Sequence, residues 1–196
     1  MIKKVFRKLK AIYAKHRDIL KTIFNKYSKS SDYQRWSQSK SLLSSWDERS
    51  LLLAKQVQPR SVVFEFGAAR FILRDALPEG CTYLHSDIVS RNEDTLVVDL
   101  NKELPQIPKV DYVIFSGVLE YIFEVQTLLN HLSSFTSHIV FSYATTDAFL
   151  ETKTRRFHGW VSDLSELDIV DIAKTLHYEC EIIGHWKKQT LFHFIK

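Results

Sequence analysis

Five short runs of β-branched and aromatic residues, separated by stretches of helical period, constrain this chain more than any other feature. They span 61–66, 81–87, 95–99, 110–115 and 138–143, and the first, Val62-Val63-Phe64-Glu65-Phe66, leads directly into Gly67. Helical patterns fall between the first and second runs (71–76) and between the fourth and fifth (118–132), and a further one covers 163–176. Two closing runs, 180–186 and 190–195, lie close enough together to form a hairpin. Strands that alternate with helices imply an α/β fold: a mostly parallel sheet with helices on both faces and a C-terminal antiparallel hairpin strand. Only about eight residues separate Asp87 from Leu96, and a parallel crossover normally needs a dozen or more. The second crossover is therefore expected to be a bare loop or one helical turn, with a rudimentary third strand.

Upstream of the sheet the chain reads as helical. At 196 residues it has room for one globular domain with an appendage, expected to divide into an arm at 1–30 and a domain at 31–196. In the arm, Ile2, Val5, Phe6, Leu9, Ile12, Tyr13, Leu20, Ile23, Phe24 and Tyr27 recur at spacings of three, four and seven, the stripe of an amphipathic helix. Lys3, Lys4, Lys8, Lys10, Lys15, Arg17, Lys21 and Lys26 fill much of the remaining surface. Residues 1–30 carry a net +9, whereas the rest of the chain carries −5, so the +4 of the whole hides a basic arm on a mildly acidic body. The body gives no reason to expect a nucleic-acid partner. The arm suits either the headgroup layer of an anionic membrane or packing on its own body or on a second copy as a homodimer. Its lysines interrupt any secretory signal core, so the expected place is the cytoplasm, with the inner membrane face as a peripheral site. After a Ser-rich break at 28–31, Ser31 or Asp32 is positioned to cap a second helix running to about Val57. Cys81 and Cys180 are too few for a disulfide scaffold, and the eight scattered histidines make no metal-ligand spacing.

In an open α/β sheet, ligands sit beyond the carboxyl ends of the strands. Here those ends carry Glu65-Phe66-Gly67-Ala68-Ala69, Asp87, Asp99-Leu100 and Ser116-Gly117-Val118-Leu119-Glu120-Tyr121. An acid after the second strand suits a ribose, and a glycine at the first turn lets a ligand approach the backbone. With its ordered strand-end acids, the chain resembles the class I (Rossmann-like) S-adenosylmethionine-dependent methyltransferases, in particular the small type-11-like branch, over roughly residues 61–143. The resemblance implies S-adenosyl-L-methionine as cofactor. Its methionine end would lie on Glu65, Gly67, Ala68 and Ala69, its ribose on Asp87, and its adenine on Asp99 and Leu100. Ser116, Gly117 and Val118 would close the other side. Two of the family's three loop glycines are replaced, by Ala69 and Phe71, and Tyr121 stands where the family often has histidine. Taken singly, Glu65 also suits holding the loop's own amides, Asp87 and Asp99 also suit turns, and Glu120 reads as a solvated helix residue.

For chemistry, His158 has the pKa range of a general base, and Tyr143 and Tyr121 are candidates to line the cavity and orient an acceptor. Arg155 and Arg156 suit either an anionic substrate group or ordinary surface charge. The resemblance extends to methylation, by O-methyl transfer, of small molecules or glycans such as those of surface-polysaccharide pathways. A rival reading is a non-catalytic module of the same fold recruited through the basic helix. A nicotinamide-dependent dehydrogenase fits less well, because G-x-G-x-x-G is absent.

Overall fold

The computed structural model describes residues 2–196; the side chains of Ile2, Lys3, Lys4, Val5, Arg7 and Lys8 lie outside the described residues. Seven strands form one sheet in the order β3-β2-β1-β4-β5-β7-β6. They are β1 (Val62–Phe66), β2 (Thr82–Asp87), β3 (Leu96–Val97), β4 (Tyr112–Ser116), β5 (His138–Tyr143), β6 (Glu179–Trp186) and β7 (Gln189–Ile195). The first five are parallel, and the third is a two-residue strand reached through a loop with no helix, as the short spacer requires. The hairpin forms, but its second strand is the one that inserts: β7 runs antiparallel between β5 and β6, so the edge strand β6 points the same way as the parallel set.

Period-two alternation sends the strands' side chains to two cores. Phe64, Phe66, Val113, Phe115, Ile139 and Phe141 pack under helices α5 (Val125–Leu132) and α7 (Glu166–Thr175). Val63, Ile114, Val140 and Leu191 pack under α3 (Asp47–Ala54), beside α4 (Ile72–Ala76). Helix α7 starts at a capping box in which Ser165 and Asp168 satisfy each other's backbone amides.

Three helices differ from the sequence reading. The second one is broken: Asp32 does cap α2 (Tyr33–Trp36), but this ends after one turn. Serines at 37, 39, 41, 44 and 45 follow, a residue type that disfavours helix interiors. Ser37 Oγ donates back to the Gln34 carbonyl at 3.2 Å, and only 3-10 turns form before α3. The pattern at 118–132 yields a 3-10 turn at Leu119–Tyr121 and starts its helix only at Val125. An additional helix, α6 (Thr152–His158), lies in the segment after β5 and ends on Gly159 in the left-handed conformation. Helix α1 (Ile2–Ser28) forms as expected, and no helix among the described residues is long and apolar enough to cross a membrane.

Candidate functional site

The carboxyl ends of β1, β2 and β4 open into a cavity of about 160 Å³. Its floor is the strand-end set: Glu65, Gly67, Ala68, Ala69, Asp87, Asp99, Leu100, Ser116, Gly117, Val118 and Tyr121 all line it. Its roof comes from the N-terminal segment, chiefly Asn25, Ser31, Trp36, Leu43 and Trp46. Serine-rich irregular chain between α2 and α3 thus has a purpose a continuous helix would not serve. It lets two tryptophans, 6.4 Å apart and with Trp36 edge-on to Tyr121 at 4.8 Å, reach over the strand tips.

The β1–α4 loop keeps a glycine-type backbone without the glycines. Gly67 has φ +76, and a Cβ there would meet Val118 Cγ2 at 2.5 Å. Ala69 and Phe71, at the two replaced glycine positions, also adopt positive φ, +47 and +63. A left-handed non-glycine residue costs about 1–2 kcal/mol. The cost at Phe71 is offset by ring contacts with His85 at 5.0 Å and with the Arg74 guanidinium at 5.0 Å. Ala69 has no comparable ring packing. Ala69→Gly is therefore expected to stabilise the protein by about 0.5–1 kcal/mol, read as a higher urea midpoint at unchanged slope.

Asp87 ties this loop to β2, its Oδ2 accepting from the Ala69 amide at 3.0 Å. The carboxylate also accepts from Arg91, whose Nε and Nη2 donate at 3.0 and 3.1 Å, and from the Val89 amide at 3.4 Å. The same Nη2 donates to the Trp36 carbonyl at 2.8 Å, linking the floor to the roof. Asp99 is engaged in a parallel way: Ser31 Oγ donates to its Oδ1 at 2.6 Å, and Asn101 N at 3.1 Å. Asn101 Nδ2 holds Ser31 Oγ and the Tyr121 carbonyl, both at 2.9 Å.

Glu65 is buried and accepts a hydrogen bond from the Tyr83 hydroxyl. Burial pushes its carboxyl up to about 8, against the opposing pull of that hydrogen bond. A carboxyl with a raised folded pKa stabilises fully below its unfolded value and loses that contribution as pH rises toward the folded one. Between about pH 4.5 and 8 the unfolded chain has released a proton that the folded chain keeps, which weakens stability by about 1.4 kcal/mol per pH unit. Thermal midpoints measured across that range should fall with pH, and Glu65→Gln should flatten the slope.

Arg49, on α3, is a buried cation that lines the cavity. Its guanidinium donates to Ser116 Oγ (3.1 Å), Ser116 O (2.9 Å) and Gln189 Oε1 (2.9 Å), and faces the Trp46 and Trp186 rings. It lies so close to the β4 turn that a Cβ on Gly117, which has φ +66, would approach its Nη1 to 2.3 Å and displace the guanidinium. Gln189 passes the chain of bonds to Glu120 Oε1 at 3.2 Å. Glu120 is not a solvated helix residue: it is 0% exposed, accepts from the Ala144 amide at 3.0 Å, and burial raises its pKa.

The candidate catalytic groups are not all brought together. Tyr121 is on the cavity wall. Tyr143 is fully buried beneath it, its hydroxyl bonded to Ser162 Oγ at 2.8 Å and to the Leu164 amide at 3.1 Å, with burial pushing its pKa up to about 12. It lies in the core, since its place on β5 points it to the α5/α7 face. His158 stands just off the wall, stacked on Trp160 at 4.7 Å, and burial with Arg35 nearby lowers its pKa. Arg155 and Arg156 are neither surface charge nor free to hold an anion. Both are buried and bonded to Asp163, and Arg155 also donates to the Ala144 and Ser162 carbonyls.

Sequence reasoning gave Ser31 only as a helix cap and did not single out Arg49, Arg91 or Asn101 as site residues. Arg49 left a trace, a single cation in the stripe Trp46, Arg49, Leu53 at spacings of three and four. Arg91 left none, because it reaches Asp87 through irregular chain. Among the described residues, no group of three or more histidine, cysteine or acidic side chains is arranged to hold a metal ion.

The fold aligns with those of solved methyltransferases at low sequence identity. A putative O-methyltransferase from Nostoc punctiforme aligns with a TM-score of 0.64 over 91% of this chain and 69% of its own, at 10% identity. The chain has the class I methyltransferase fold. A structure of the Haloferax volcanii Trm112 activator with a putative methyltransferase aligns at 0.61 over 84% of this chain and 94% of the matched one, at 13% identity. Human N-acetylserotonin methyltransferase, in complex with SAM, aligns at 0.59 over 83% of this chain, at 14% identity. This chain spans about half the length of several such enzymes, 55% in the human case. No family model and no curated protein matches the sequence.

Proposed function

We propose that the protein is an S-adenosylmethionine-dependent methyltransferase that methylates an oxygen of a small-molecule or glycan acceptor. The observation that carries this reading is the pair Asp87 and Asp99, side by side on adjacent strand ends, lining an open cavity in a class I methyltransferase fold. The residues present fit the cofactor. The turn at Gly67, Asp87, Asp99 and Leu100 all line the cavity, so the Gly67 backbone would hold the methionine end, Asp87 the ribose hydroxyls, and Asp99 with Leu100 the adenine. When bound, the cofactor supplies an electrophilic methyl group for in-line displacement. This chain's residues then align the partners and keep water out, with Trp36 and Trp46 roofing the acceptor end and Tyr121 orienting the acceptor hydroxyl. Tyr143 is left out of this proposal because the core encloses it, and His158 because its ring stacks on Trp160 off the cavity wall.

One observation favours a second reading. Both nucleoside acids already have partners, Arg91 and Ser31, which suits a non-catalytic module that keeps the fold and is recruited through its basic helix. Calorimetric titration with S-adenosylmethionine and S-adenosylhomocysteine separates the two. Micromolar binding of both supports the enzyme, and no heat at millimolar ligand supports the module.

A further inference from the structure

Helix α1 is amphipathic in the reverse sense to a helix that packs on its own protein. Its polar face is the one that docks. Thr22 is buried, Lys26 pairs with Asp163 at 2.7 Å and Lys21 with Asp32 at 2.7 Å, and the Lys15 ammonium sits over the Phe157 ring at 5.5 Å; just past the helix end Lys29 pairs with Glu124 at 2.5 Å. The apolar stripe looks outward. Phe6, Leu9, Tyr13, Leu20, Phe24 and Tyr27 are 57–90% exposed, all on one side of the helix at spacings of three, four and seven. An ordinary surface helix turns such a stripe to the core. Packing on the body therefore does not account for the stripe, although it does account for several of the lysines.

Charge decides what covers it. A second copy laid along the same face would bring two basic segments together, each +9 by sequence and still +6 once Lys21, Lys26 and Lys29 are paired with the body's acids. Side chains a few ångströms apart are well inside the ~8–10 Å screening length of physiological salt, so that pairing is opposed. An anionic lipid surface reverses the sign. Aromatic and aliphatic side chains enter the interface, and the flanking Lys10 and Arg17 reach the phosphates. A helix of 27 residues is about 40 Å long and, being too polar to cross the bilayer, lies flat on it. The body's −5 is repelled by the same surface and stays on the far side.

We propose that the outward stripe of α1 is a peripheral docking surface for an anionic phospholipid membrane. This holds whether or not the cavity takes a nucleoside. The test uses the full chain with sedimented vesicles of phosphatidylcholine alone and of phosphatidylcholine with 30% phosphatidylserine, at low and high salt. Binding to the anionic vesicles is expected, with about a tenfold or greater loss on raising the salt or on the double substitution Leu20→Glu, Phe24→Glu. Both positions are exposed, so an unchanged thermal midpoint will show that the variant is folded. Equal binding to both vesicle types, or none to either, overturns the proposal. So does a dimer in solution that the double substitution converts to monomer, because a second copy would then be the occupant.

Discussion

Asp87→Ala is expected to weaken S-adenosylhomocysteine binding by about a hundredfold or more, and Arg91→Ala to strengthen it by about tenfold. The first effect follows from the proposed reading, in which two ribose hydroxyls would donate to this carboxylate, each bond worth roughly 1.5–3 kcal/mol. The second follows from occupancy. Arg91 donates twice to Asp87, and the Ala69 amide and, at 3.4 Å, the Val89 amide use the remaining oxygen directions. A ribose must displace the guanidinium before it can bond, and it must also release the Trp36 carbonyl that the guanidinium holds. Removing Arg91 removes that competition. Calorimetry on both variants, with thermal midpoints as a folding control, reads opposite signs four residues apart. Equal losses in the two would make Arg91 a ligand contact rather than a competitor, and no change in either would remove the nucleoside from this cavity.

The strand-end acids were legible because their chemistry is tied to strand periodicity. Asp87 and Asp99 close apolar runs, so the sheet places them wherever the runs end. The short second crossover and the two-residue β3 were legible for the same reason, since a spacer of eight residues leaves no alternative. What depends on tertiary contact was not legible. Nothing in the sequence says that Ser31 reaches Asp99 across 68 positions, or that Arg91 turns back onto Asp87. Tyr143 and Glu120 misled for a related reason. Polar side chains next to a motif look available, yet β5 alternation sends Tyr143 into one core, and the 3-10 turn sends Glu120 against the Ala144 amide. The outward stripe on α1 was visible as a stripe, but its direction depends on which face the body's Asp163, Asp32 and Glu124 engage. Those acids lie far apart in the chain.

Arg155→Ala should destabilise the folded protein by about 2–4 kcal/mol, the cost of leaving buried carbonyls unpaired and opening a cavity, since Asp163 keeps Arg156 and Lys26 as partners. The side chain is 2% exposed. It donates from Nε to Asp163 at 2.8 Å, from Nη1 to the Ala144 carbonyl at 2.5 Å and from Nη2 to the Ser162 carbonyl at 2.7 Å. Truncation to alanine strands two buried carbonyls and leaves a cavity between the Tyr143 and Trp160 rings that the guanidinium faces. Lysine keeps the charge, but its single ammonium cannot reproduce three divergent donors, so Arg155→Lys should recover less than half of the loss. Acid sensitivity gives a second reading of the same cluster. Burial tends to raise the Asp163 pKa, yet hydrogen bonds from Arg156, Lys26 and Arg155 outweigh it and hold the carboxyl well below the usual range. A depressed carboxyl stabilises above its unfolded value of about 3.9 and gives up that contribution as pH falls below it. Urea midpoints should therefore drop between about pH 4 and 2 in the parent protein, and drop less in Arg155→Ala, where part of the depression is gone. An unfolding free energy within about 1 kcal/mol of the parent at pH 7 would mean that Arg156 and Lys26 alone suffice to hold Asp163, and that the bonds to Ala144 and Ser162 contribute little.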